Sequence, residues 1–76
     1  MTIKEKLKEI LINNHFDVNG NAFTKHGDRR ELTITLYDNE VEVYYREYPA
    51  KEGWYINKYP YNKKLLKQIS NTISWI

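Results

Sequence analysis

The chain contains no cysteine. Disulfides and thiolate metal sites therefore cannot reinforce it, and a reducing cytoplasm is its natural compartment. It also lacks a long hydrophobic run. The longest aliphatic stretch is Ile10-Leu11-Ile12, far short of a membrane span, and nothing resembles a signal peptide. No repeat, linker or low-complexity segment interrupts the sequence. Its 76 residues predict a single domain, 1–76, with one small core. Packing alone must stabilise that core, so many of the seven tyrosines are expected to be partly buried.

Nine Lys, eight Asn, eight Ile and seven Tyr make up 32 of the 76 residues. All four have AT-rich codons, which points to a low-GC bacterium, its phage or a plasmid. The net charge is +2 and unevenly placed. Asp38 to Glu52 carries a net of −3, whereas Gly53 to Ile76 holds four Lys and no acid. Such asymmetry suggests either an anionic partner or an internal match between sheet and helix.

Thr2-Ile3-Lys4-Glu5 reads as a capping box. Ile3, Leu7, Ile10 and Leu11 follow at helical spacing, and Asn13-Asn14 is the expected left-handed exit. Asn19-Gly20 and His26-Gly27-Asp28 are turn signals. Leu32, Ile34 and Leu36 alternate inward, as do Val41, Val43 and Tyr45 beyond the Asp38-Asn39 turn. Glu40, Glu42, Tyr44, Arg46 and Tyr48 share the outer face. Trp54 to Tyr59 is a last strand after a loop from Pro49 to Gly53. Pro60 cannot extend a central strand and suits a helix start. Leu65, Leu66, Ile69 and Ile73 then form a second amphipathic stripe, with Trp75 and Ile76 left as either core or interface. The expected fold is a two-layer α+β domain of helix, three or four antiparallel strands and helix. Both helices pack on one sheet face.

An aromatic ribbon, Tyr44 to Tyr61, runs into a basic helix start. Tyr, Trp and Arg on a flat strand surface form a protein-interface composition. Tyr37, Tyr44, Arg46, Tyr48 and Trp54 are the predicted contact set, and the same face could pair two copies of the chain. The alternative for this face is ordinary cross-strand pairing of β-formers. Lys63 and Lys64 lie where a helix already has partial positive charge, an unfavourable placement of roughly 0.3–1 kcal/mol each. A docked anion would reverse that sign. A solvated face, or pairing with Glu40, Glu42 or Glu47, is the alternative.

Asn62-Lys63-Lys64-Leu65-Leu66-Lys67 resembles the Lys-Lys-x-x-Lys helix start of double-stranded-RNA-binding domains, which share the helix–strands–helix order. The resemblance implies phosphate contacts from Lys63, Lys64 and Lys67, and a groove-entering loop with Arg29 and Arg30 beside Lys25. That family's Gly-Pro loop is replaced here by His26-Gly27-Asp28. His15-x-Asp17 and His26-x-Asp28 fit no zinc spacing, and no metal or cofactor is expected. The helix–strands–helix order is also similar to small RNases of the HicA kind, which would make His26 the catalytic base. Lys25-His26-Gly27 lacks that family's Gly-Ser-His context, and no catalytic residue is predicted. The leading expectation is a cytoplasmic, non-catalytic inhibitor encoded by a phage or mobile element. It would occlude a larger host protein or nucleoprotein, as an anti-CRISPR-like protein. Direct nucleic-acid binding is the alternative.

Overall fold

The computed structural model describes residues 2–48 and 54–74, with the side chains of Trp54 and Tyr55 outside that description. The order is α1 (Ile3–Asn13), β1 (Asp17–Asn19), β2 (Ala22–Gly27), β3 (Arg30–Leu36), β4 (Glu40–Glu47), β5 (Trp54–Pro60) and α2 (Lys63–Ile73). All strands are antiparallel and lie in chain order within one open sheet. The α+β class is as expected. The sheet has five strands where three or four were expected, because the chain folds back at Gly20-Asn21 so that β1 and β2 form a tight hairpin. Gly20, with φ of +64°, begins the two-residue link between Asn19 and Ala22, whose Cα atoms are paired. Glycine enters that left-handed region without a Cβ clash.

Each helix is started by its own side chains. Thr2 Oγ1 accepts from the Glu5 backbone N–H at 3.1 Å, and Glu5 Oε1 accepts from the Thr2 N–H at 3.2 Å. The Thr2 backbone N–H, and after it the Thr2 hydroxyl, hold the Glu5 carboxyl below its ordinary value. Asn62 Oδ1 caps α2 by accepting from Leu65 N–H at 2.9 Å. The exit from α1 falls one residue later than the asparagines predict. Asn14 stays at φ −96°, its side-chain amide donating to Ile10 O at 2.8 Å. His15 takes the left-handed conformation instead, with φ of 64°. His15 N–H then bonds to Ile12 O and Phe16 N–H to Leu11 O. This is the Schellman arrangement, and Phe16 and Leu11 supply its hydrophobic contact inside the core. The second turn is also displaced. β2 runs on through Gly27, leaving Asp28 and Arg29 as the turn, with Arg29 at φ 60°.

One buried cluster joins all the layers. Leu7 and Leu11 of α1 and Leu65, Ile69 and Ile73 of α2 pack with Phe23, Leu32, Ile34, Leu36, Val41, Val43 and Tyr45. Both helices therefore cover one sheet face. The tyrosines divide between layers: Tyr45 is buried, Tyr59 and Tyr61 are partly buried against the core, and Tyr37 and Tyr48 are exposed. Trp75, Ile76 and the Pro49 to Gly53 loop lie outside the described residues. Among the described residues, no helix is long and apolar enough to cross a membrane.

The caps set two stability expectations for urea unfolding. Asn62→Ala should lower stability by about 1 kcal/mol, as a lost N-cap does. His15→Gly should raise it by about 0.5–1 kcal/mol, because the left-handed strain outweighs glycine's entropy cost.

Candidate protein-docking face

The helix-free face of the sheet is built by strand register. Cross-strand partners share a face, so Thr24, Thr33, Tyr44 and Ile56 form one row across it. Ala22, Thr35, Glu42 and Lys58 form the next. His26, Glu31, Arg46 and the backbone of Trp54 form a third, nearer the Asp28–Arg29 turn. No helix covers these residues, and Ile56 is 50% exposed beside Tyr44. The Thr24 and Thr33 hydroxyls lie 3.1 Å apart in a hydrogen bond, tying β2 to β3 through side chains as well as backbone.

The third row contains the most organised side chains. The Arg46 guanidinium stacks over the Tyr48 ring, 4.5 Å from its centroid. The Tyr48 hydroxyl donates to Glu31 Oε2 at 2.5 Å, and Glu31 is the cross-strand neighbour of Arg46. That bond pushes the Tyr48 hydroxyl above its ordinary pKa, with desolvation adding to it. Arg46 and Tyr48 are thus held in place by intramolecular contacts, an arrangement that lowers the side-chain entropy a contact at this spot would cost.

The outer edge of β5 is blunted against strand addition. Tyr37 N–H donates to Glu40 O and Tyr48 N–H to Arg29 O. With antiparallel alternation, these two bonds turn Glu40, Glu42, Tyr44 and Arg46 toward β3, and Val41, Val43 and Tyr45 toward β5. The backbone groups of Ile56, Lys58 and Pro60 then face the free edge. Proline has no N–H, and the Lys58 N–H is taken by Asn57 Oδ1 at 2.9 Å. Asn57 is itself held by a bond to the Tyr59 hydroxyl at 3.1 Å. Such devices discourage strand pairing at the β5 edge.

The five predicted contact residues do not form one spot. Tyr44 is central, and Arg46 and Tyr48 are adjacent to each other. Tyr37 sits at the other end of β3, roughly 25 Å from Tyr48 at strand spacing, with its carbonyl accepting from the Tyr61 hydroxyl at 2.6 Å. The Trp54 side chain lies outside the described residues. Glu31 and Ile56 were not foreseen. The alternation of β3 placed Glu31 outward, but only register sets it under Tyr48.

The six cations of the nucleic-acid alternative also separate. Pro60 lies opposite Glu40, so α2 starts at the Asp38–Asn39 end of the sheet. Arg30 lies opposite Glu47 at the far end, roughly 23 Å away, with Arg29 beside it. Lys25 lies opposite Leu32 on the helix-covered side, its Nζ 5.8 Å from the Phe16 ring centroid. Lys63, Lys64 and Lys67 are exposed. Among the described residues the ion pairs are Lys4–Asp38 at 3.9 Å and Lys58–Glu40 at 3.7 Å. The expected pairing of sheet acid with helix lysine is therefore made instead by Lys58, within the sheet. His26 lies exposed on the outer face opposite Glu31. Among the described residues no group of three or more His, Asp or Glu is placed to hold a metal, so the two His-x-Asp steps do not converge.

No protein-family model, curated protein or solved structure matches the chain.

The Glu31–Tyr48 bond sets a pH expectation. A raised hydroxyl pKa means the bond stabilises fully below the ordinary tyrosine range and is lost as pH rises through the folded value. In an NMR titration Tyr48 should ionise above an exposed reference tyrosine, and Glu31→Gln should bring it down. Tyr61, raised first by burial and then by Asp38, should be unaffected by that substitution.

Proposed function

We propose that the protein is a non-catalytic binding module. It docks the open face of its sheet on a larger protein or nucleoprotein and inhibits that partner by occlusion, in the manner of an anti-CRISPR-like protein. One observation carries this reading. Both helices cover the same sheet face, and no described helix packs on the other, with Tyr44 at its centre and the prearranged Arg46–Tyr48 pair beside it. Arg and Tyr held in this way are the residues that dominate protein interfaces energetically. The blunted β5 edge supports docking by the face over docking by strand addition. A cytoplasmic site of action belongs to the same reading, since a Cys-free chain gains nothing from an oxidising compartment. Composition suggests a low-GC bacterial or phage source.

Nucleic-acid binding is the second reading, favoured by the exposed lysines of the first turns of α2, which have no carboxylate within salt-bridge distance among the described residues.

Pull-down from a low-GC bacterial lysate, with binding to labelled duplex RNA and DNA alongside, separates the two. The wild-type chain should retain a protein partner. Tyr44→Ala with Tyr48→Ala should weaken that capture by roughly thirtyfold or more, while circular dichroism shows the fold intact. Capture that survives in the folded double variant sinks the sheet-face reading. Binding to duplexes that falls steeply on a log–log salt plot, and disappears in Lys63→Glu with Lys64→Glu, would establish the second reading instead.

A further inference from the structure

The formal charge of +2 is the sum of two unlike faces. The helices carry six lysines against Glu5 and Glu9, a net of +4. The open sheet face carries Asp17, Glu31, Glu40 and Glu42 against Arg46 and Lys58, a net of −2. Elsewhere Lys25, Arg29 and Arg30 balance Asp28, Asp38 and Glu47, and Lys51 balances Glu52. The chain is therefore bipolar across its two layers.

The acids of the open face are not equivalent. Glu31 accepts from Tyr48, and Glu40 lies 3.7 Å from Lys58. Glu42 stands between them in function. Its cross-strand neighbours are Thr35 and Lys58, and among the described residues no cation lies within salt-bridge distance of it. It is two residues from Tyr44 on the same strand and face, a separation of about 7 Å. A carboxylate and an aromatic face at that spacing can hold one cationic side chain, by charge and by the ring quadrupole.

We propose that the partner of this face is a basic protein surface, with one Lys or Arg seated between the Glu42 carboxylate and the Tyr44 ring. The inference rests on the sheet-face reading above and names the chemistry of its partner. Charge complementarity selects this occupant. A phosphate backbone meets a net of −2, and two copies stacked face to face would bring −2 onto −2. A second copy offering its helices would be attracted, but that contact is heterologous and builds rings or open chains, which sedimentation would reveal.

The test uses the full chain, labelled with ¹⁵N. It is titrated at low salt, about 20 mM, where screening is weak. One probe is an octapeptide of alternating Arg and Gly, and the other an octapeptide of alternating Asp and Gly. The Arg peptide should shift the amides of Thr33, Thr35, Glu42 and Tyr44, and Glu42→Lys should weaken its binding about tenfold or more. Glu42→Gln should fall between. The Asp peptide should shift helix amides and leave those of Thr33, Thr35, Glu42 and Tyr44 in place; shifts at those four overturn the proposal. Arg-peptide shifts that centre elsewhere, that are absent, or that persist unchanged in Glu42→Lys overturn the proposal. So does salt-sensitive self-association in sedimentation, which would make a second copy the occupant. Partner capture that depends on Tyr44 but ignores Glu42→Lys overturns this inference alone. Capture indifferent to both substitutions overturns the sheet-face reading as well.

Discussion

The structure depends on one apolar sheet face being buried by two helices at once. Phe23, Ile34 and Val43 are consecutive neighbours across β2, β3 and β4, and all three are nearly inaccessible to solvent. Leu7 and Leu11 cover them from one helix, Leu65 and Ile69 from the other. Either helix alone would leave part of that surface wet, and a chain of this size has no disulfide to compensate. Burial of this face is the dominant stabilising term. It also dictates the rest of the architecture, since every residue of opposite parity on the strands must face away from the helices.

The proposed docking surface follows from that constraint. Period-two alternation sends Thr33, Thr35, Glu42, Tyr44 and Arg46 outward as a direct consequence of sending Leu32, Ile34, Val41, Val43 and Tyr45 inward. The ordering of the open face is local: a Thr–Thr hydrogen bond, a Lys–Glu pair, and an arginine laid on a tyrosine whose hydroxyl is fixed by a glutamate. The same architecture separates charge. Lysines populate the solvent side of the helices because those stripes are amphipathic, while acids collect on strands whose other face is apolar. A weakly basic chain becomes a molecule with two faces of opposite sign.

Strain is placed where the chain changes direction. His15 and Arg29 adopt left-handed backbone that a glycine would take more cheaply. His15 does so because Phe16 must enter the core immediately after α1, and the Schellman bonds lock the reversal in place. Histidine therefore occupies this reversal at a conformational cost that glycine would spare. At Arg29, the carbonyl accepts from Tyr48 N–H, so the turn also extends the β3–β4 ladder to the aromatic of the docking face.

The residues alone determined the helices, the inward and outward faces of β3 and β4, the capping box at Thr2 and the layering of the domain. These are local or periodic signals, written within a few residues of where they act. The strand count, expected to be three or four, is five, and the extra strand was not legible because it rests on only three residues of β1 pairing with β2. The exit at His15 was displaced from the asparagines because a side-chain bond to Ile10 keeps Asn14 near the helix. The candidate site was legible as a list, with Tyr44, Arg46 and Tyr48 named and outward, but not as an arrangement. Only the tertiary structure decided that Glu31 lies under Tyr48, that Tyr37 stands at the far end of the sheet, and that the lysines of α2 and the arginines near the Asp28–Arg29 turn are apart. Those facts depend on strand register and on which end of the sheet each helix begins. Both are set by long-range packing, which no short window of sequence contains.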